Sequence, residues 1–321
     1  MSEPPDELDW IAALRPLAAS EPALGLMDDA AVVPSRPGYD LVISEDAMVA
    51  GVHFLPGEDA EIIARRLLRT NLSDLAAKGA EPFGYTLMTA WPPNRSWAEQ
   101  QAFIRGLAAD GEDFGVTLLG GDTVSTPGPL TVSATVFGWV PTGRAVRRSG
   151  AKPGHDLVVL GVIGDGVLGL KAARGEIVDP DGALAKAYRL PEPLLGLRSL
   201  LRVHAAAAAD VSDGLIVDAL HIAEASGCRV SLDLERAPMS PAVRRWLASQ
   251  PDQAGARLAL ATGGDDYALV CAAADGAALV KAAEEEGTPA AVVGAFEEGR
   301  GVTVRLHGAE LEPANLGWRH R

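Results

Sequence analysis

Cysteine is nearly missing: Cys228 and Cys271 are the only two in 321 residues. Two thiols at no metal-ligand spacing exclude a disulfide framework and a cysteine-held metal, and suit a reducing compartment. Basic residues are also short, 28 against 43 acidic ones for a net charge of −15. Nucleic acid and anionic membrane both need basic patches, so neither is expected as a partner. No apolar run reaches the ~18 residues that a membrane span requires. The opening MSEPPDELDW is acidic and carries proline, unlike a secretory signal. The expectation is a soluble, cytoplasmic protein. There is no low-complexity segment. With 48% hydrophobic residues, the chain is long enough for two domains, each with its own core.

The apolar pattern predicts α/β architecture in two domains, residues 1–143 and 144–321, joined at the basic, Pro- and Gly-bearing PTGRAVRRSGAKPG of Pro141–Gly154. In the first half, a short helix over 6–19 is followed by MDDAAVV, read as aspartates before a strand, and by a strand ending in SED at Ser44–Asp46. Asp59 is a candidate N-cap for a helix over Ala60–Lys78 that Gly79 stops. Ser96 and Glu99 form a capping box for a second helix, and a strand at Gly115–Leu119 runs into GGDT. The first half is therefore α+β in flavour. The second half is layered α/β, with DVSDGL at Asp210–Leu215 opening a helix, for which Ser212 or Asp213 serves as N-cap, and TGGDDY feeding an apolar strand.

The carboxylates sit in unexpected places. Asp74 lies in the last turns of its helix, where the dipole opposes an anion, and either a surface pair with Lys78 or a cation compensates it. Asp28, Asp29, Glu45, Asp46, Asp122, Asp210, Asp213, Asp265 and Asp266 follow strands or glycine turns. So many anions cannot all stay ionised side by side without cations. Hard oxygen donors select Mg²⁺ over zinc, and several Mg²⁺ ions on a triphosphate are the apparatus of phosphoryl transfer. Acidity thus does not exclude a nucleotide. There is no Walker G-x-x-x-x-G-K, so such chemistry would be led by metal. Gly164, Gly166 and Gly169 fit G-x-G-x-x-G after a strand, the fingerprint of a dinucleotide-binding oxidoreductase. The acidic residue expected ~20 positions on, at the end of a second strand, is lacking, because Asp179 and Asp181 lie in a turn.

In order and spacing, MDDAAVV, SEDAMVAGVHF, NLSDLAAKGAEP, GGDT, RRSGAKPG, DVSDGL and TGGDDY resemble the thiamine-monophosphate kinase family over nearly the whole chain. That resemblance implies a fold like aminoimidazole ribonucleotide synthetase, with N-terminal sheets pairing across a homodimer into a barrel. It implies Mg²⁺- and ATP-dependent conversion of thiamine monophosphate to thiamine diphosphate. By position it makes Asp29, Ser44, Asp46, Asp74, Asp122, Asp210 and Asp213 metal ligands. Gly121, Asp122, Arg148 and Ser212 would contact ATP, and His53, Asp265 and Trp318 the thiamine phosphate. No residue is assigned as general base, and direct in-line transfer is expected. The chain departs from the family at Met27, Glu45, His155 and Asp265. Glu45 is carried as a further ligand through its longer carboxylate, and Asp265 is one methylene shorter than the glutamate usual there. Other ATP-using relatives fit less well: selenophosphate synthetase has an early reactive cysteine, and the hydrogenase-maturation relative ends in one. An ATP-holding scaffold without turnover remains open on sequence alone.

Overall fold

The computed structural model describes residues 7–319. By contacts the chain divides into two units. One contains the described chain up to Leu75 and Ala80–Gly143, and the other Ala76–Gly79 and the described chain from Arg144 onward.

The first unit starts with α1 (Glu7–Leu14), which Pro16 cuts short and turns into a 3₁₀ turn. Residues 27–33 form no strand. The expected strand fails because the run finds no partner: Met27 and Val32 stay well exposed, and Val32 N–H bonds back to the Pro22 carbonyl. The remaining elements are β1 (Tyr39–Val49), α2 (Ala60–Ala77), β2 (Glu81–Trp91), α3 (Trp97–Phe114), β3 (Thr117–Ser125) and β4 (Thr131–Pro141). The strands form one sheet in the order β1-β4-β2-β3, antiparallel except for β2 with β3. The Ser96–Glu99 capping box starts α3, and left-handed Gly115 ends it. Leu67, Leu68, Leu72 and Leu75 on α2 are fully buried, each contributing ~1.5–3 kcal/mol relative to exposure. Asp110 on α3 accepts from Arg65 Nε at 2.8 Å and Arg69 Nε at 2.7 Å, an internal ion cluster that locks α2 against α3.

The second unit runs β5 (Asp156–Leu160), α4 (Asp165–Ala173), α5 (Ala183–Arg189), α6 (Arg198–His204), β6 (Ala205–Asp210), α7 (Leu215–Ser226) and β7 (Arg229–Asp233). It continues with α8 (Pro241–Ala248), α9 (Gln253–Ala261), β8 (Leu269–Ala273), α10 (Gly276–Glu285), β9 (Ala290–Glu297), β10 (Gly301–Leu306) and β11 (Ala309–Leu311). Its seven-stranded sheet has the order β11-β10-β7-β9-β5-β8-β6. Buried cores flank it, one around Val159, Val230 and Ile222, the other around Val158, Leu160 and Leu279. Lys78, just past α2, donates to the Ala208 carbonyl of β6 at 2.8 Å.

Candidate active site

In the first unit, α2 lies along one face of β1. Ser44 Oγ donates to Asp74 Oδ2 at 2.5 Å, and Asp46 N–H donates to Asn71 Oδ1 at 2.9 Å. Strand alternation puts Ser44 and Asp46 on this face, opposite Val136 and Ala134 of β4. Glu45 points the other way and accepts from Ser133 Oγ at 3.0 Å, so its carboxylate is not brought together with Ser44, Asp46 and Asp74. Asn71 is fully buried and also donates to the Leu67 carbonyl. Its role in holding the Asp46 backbone was legible only as a shared helix face with Asp74.

The GGDT stretch lies inside β3 rather than after a strand end. A bulge at Leu119 shifts its register against β2. A Cβ on Gly121 would meet the Leu87 carbonyl at 2.0 Å, so strand packing demands that glycine, whereas Gly120 faces open space. Asp28, Asp29, Gly120, Gly121 and Asp122 line the acidic mouth of a cavity of ≈ 170 Å³ whose floor includes Trp10 and Leu118. Val49 N–H donates to His53 Nδ1 at 3.0 Å, which ties the imidazole to the end of β1.

The second unit gathers the other nominated residues. Asp210 is buried at the end of β6. Ser212 and Asp213 follow, and the cap of α7 corrects the expectation that either of them provides it. Gly214 takes the N-cap position, and the buried carboxylate of Asp218 accepts from Asp213 N–H and Gly214 N–H, both at 3.1 Å. His221 lies 3.5 Å from Asp218, whose carboxylate raises the imidazole pKa. Arg148 is exposed, on a loop tied to α7 where Ser226 Oγ accepts from Gly150 and Ala151 N–H at 3.1 Å. Asp265 N–H donates to the Ser212 carbonyl at 2.9 Å, and Trp318 N–H to the Asp213 carbonyl at 2.8 Å. DVSDGL, the Asp265 loop and the tail at Trp318 are thus one hydrogen-bonded assembly.

The glycine fingerprint is no dinucleotide cradle. Asp266 fills it: its carboxylate accepts from Gly164 N–H and Gly166 N–H at 2.9 Å, the amides that a pyrophosphate would need. In the sequence Asp266 stood out only as one more carboxylate at a glycine turn, and Asp218 was given no role. An acid in the first turn of α7 was the available signal for the latter.

Oxygen is the only donor type among the nominated ligands, and by that chemistry they fit Mg²⁺. Among the described residues, no group of three or more His, Cys, Asp or Glu side chains is arranged to hold a metal ion.

Two sheet-based units, each pairing glycine loops with carboxylates, define a class that comparison with known proteins identifies. "AIR synthase related protein, N-terminal domain" matches residues 27–140, and "AIR synthase related protein, C-terminal domain" matches residues 152–307. The chain belongs to that family. The thiamine-monophosphate kinase of Caulobacter vibrioides is 57% identical over 321 residues, 99% of this chain and 91% of the relative. The crystal structure of the thiamine-monophosphate kinase of Stenotrophomonas maltophilia is 35% identical with a TM-score of 0.81, covering 94% of this chain and 95% of that one. A ThiL protein solved in complex with AMPPCP and TMP is 25% identical, with a TM-score of 0.79 over 98% of this chain and 97% of that one. Within the AIR synthase related family, the chain groups with the thiamine-monophosphate kinases.

Proposed function

We propose that the protein transfers a phosphoryl group from ATP to thiamine monophosphate, giving ADP and thiamine diphosphate. The observation that carries this reading is 57% identity, over 99% of the chain, to an enzyme of that name. The acceptor is a phosphate monoester with a second pKa near ~6, so its attacking oxygen is already deprotonated at neutral pH and no side chain has to take a proton. Transfer is direct and in line, which makes positioning the task of the protein. Arg148 and Ser212 of the second unit contact ATP, the guanidinium of Arg148 being suited to its phosphates, and Gly121 and Asp122 of the first unit are assigned to ATP as well. His53 of the first unit and Asp265 and Trp318 of the second are assigned to the thiamine phosphate. Asp29, Ser44, Asp46, Asp74 and Asp122 of the first unit, and Asp210 and Asp213 of the second, would hold Mg²⁺. When bound, Mg²⁺ screens the charge of the two phosphate groups.

The protein acts in the cytoplasm, and no helix among the described residues is long and apolar enough to cross a membrane. It works as a homodimer. Support for this is the sheet face away from α2, where Leu41 and Ile43 are 44% and 56% exposed beside the stacked rings of Phe83 and Trp139.

Purified protein given ATP, Mg²⁺ and thiamine monophosphate should release ADP and thiamine diphosphate in equal amounts. ADP release independent of thiamine monophosphate, or none at all, would overturn the reading. Equal turnover in excess chelator would remove Mg²⁺ from it, and a phosphorylated His53 competent to form product would remove direct transfer.

A further inference from the structure

The G-x-G-x-x-G stretch is the one motif that the proposed function leaves unused, and its surroundings give it a purpose. The loop Gly263–Tyr267 carries two non-glycine residues at positive φ, Asp265 at 62° and Tyr267 at 51°. L-residues rarely adopt this conformation, and it persists only where the surrounding structure over-determines it. Asp266 stands between them. Both of its oxygens accept from Gly164 N–H at 2.9 Å, and Oδ1 also accepts from Gly166 N–H at 2.9 Å.

Packing in the same place is too close for side chains. A Cβ on Gly166 would lie 2.4 Å from the carbonyl carbon and oxygen of Asp265, and one on Gly263 would lie 2.4 Å from Val167 Cβ. Gly264, at φ +73°, would clash with the Ser212 carbonyl at 2.5 Å. Asp265 N–H and Tyr267 N–H then bond to the carbonyls of Ser212 and Val211, at 2.9 Å each. Tyr267 Oη donates to Asp265 Oδ1 at 3.1 Å, which turns the carboxylate itself. Every one of these contacts lies within the second unit.

We infer that Asp266 is a positioning residue: by seating its carboxylate on the Gly164 and Gly166 amides it holds the strained loop that presents Asp265 to the thiamine phosphate. The glycine motif is the seat for an internal carboxyl group, and Gly166 is glycine because the Asp265 backbone rests on it. This inference rests on the reading that Asp265 contacts the substrate.

The test is a double-mutant cycle on the full chain with Mg²⁺ and ATP, measuring KM for thiamine monophosphate and kcat separately. Asp265→Ala should raise KM by about tenfold or more. Asp266→Ala should raise it to a similar degree, and the double variant should be no worse than Asp265→Ala alone, since a misplaced arm has nothing further to lose. Asp266→Asn should keep KM within about twofold of the parent, because one amide oxygen can accept both bonds. Where Asp266→Ala does not fold, Gly166→Ala takes its place in the cycle: it leaves Asp266 intact and displaces the Asp265 backbone directly. Independent losses that multiply in the double variant would overturn the positioning role. So would an Asp266→Asn protein as impaired as the alanine variant, or a parent-like KM in Asp266→Ala or, where that fails to fold, in Gly166→Ala. If Asp265→Ala leaves KM unchanged, the substrate assignment of Asp265 is what fails, and the inference falls with it.

Discussion

Asp74 accepts the Ser44 hydroxyl at 2.5 Å from the last turns of α2, where the helix dipole disfavours its charge. Asn in its place keeps the shape but removes the charge that recruits a cation. As a metal ligand, Asp74→Asn should lower turnover by about a hundredfold or more and leave the metal-free thermal midpoint equal or higher. Near-normal turnover would remove the assignment. Asp266 offers a second measurement at this scale. Burial pushes its pKa up to about 8, with Asp165 and Asp265 adding to the rise and the two glycine amides opposing it. The unfolded chain loses this proton near ~4, so between ~4 and ~8 the folded state binds more protons and stability falls as pH rises. The thermal midpoint of the metal-free protein should therefore decline across that window more steeply than that of Asp266→Asn. Parallel pH profiles would contradict the raised pKa. Single residues were partly legible beforehand. The face shared by Asn71 and Asp74 followed from helical spacing, whereas Glu45 was carried as a ligand beside Ser44 and Asp46 although strand alternation turns it to the other face. The seating of Asp266 on glycines 100 and 102 positions away was not, since no local pattern encodes so distant a partner.

At the scale of elements, α2 carries Asn71 and Asp74, so its orientation matters more than its helicity. Asp110, with no exposed side-chain surface, holds it through Arg65 and Arg69. Removing one partner of a buried ionic cluster strands the others, so Asp110→Ala should destabilise the protein by about 3–5 kcal/mol in urea unfolding. A loss under ~1 kcal/mol would mean that the arginines find water instead. The elements most legible in the sequence were those with local chemistry at their ends, such as α3 with its capping box and Gly115. Those missed had conflicting local signals. α9 contains Gly255, and an all-alanine run became β6 only because β8 pairs with it. MDDAAVV had strand-like residues and no strand to join, so pattern without a pairing partner misled.

For the molecule as a whole, composition argued against nucleic acid and anionic membrane as partners and the ordered motifs indicated the family, but sheet order lay beyond local reading. Among the consequences of that order is the placement of β1 at an edge of the first sheet, paired among the described residues with β4 alone. Its outward residues Leu41 and Ile43 stand opposite Trp139 and Phe137 on the face away from α2. Phe83 stacks on Trp139 with centroids 5.2 Å apart, so aliphatic and aromatic surface form one continuous patch. Apolar surface of this kind marks an interaction site, and a second copy presents a self-complementary version of it under two-fold symmetry. A lysine at the centre of such an interface would bury an unpaired charge, whereas on a free surface the same lysine would be solvated. Ile43→Lys should therefore halve the mass measured by sedimentation equilibrium at micromolar concentration, with far-ultraviolet circular dichroism unchanged. A parent protein that sediments as a monomer, or an Ile43→Lys variant that remains dimeric, would place the homodimer contact away from this face or remove it altogether.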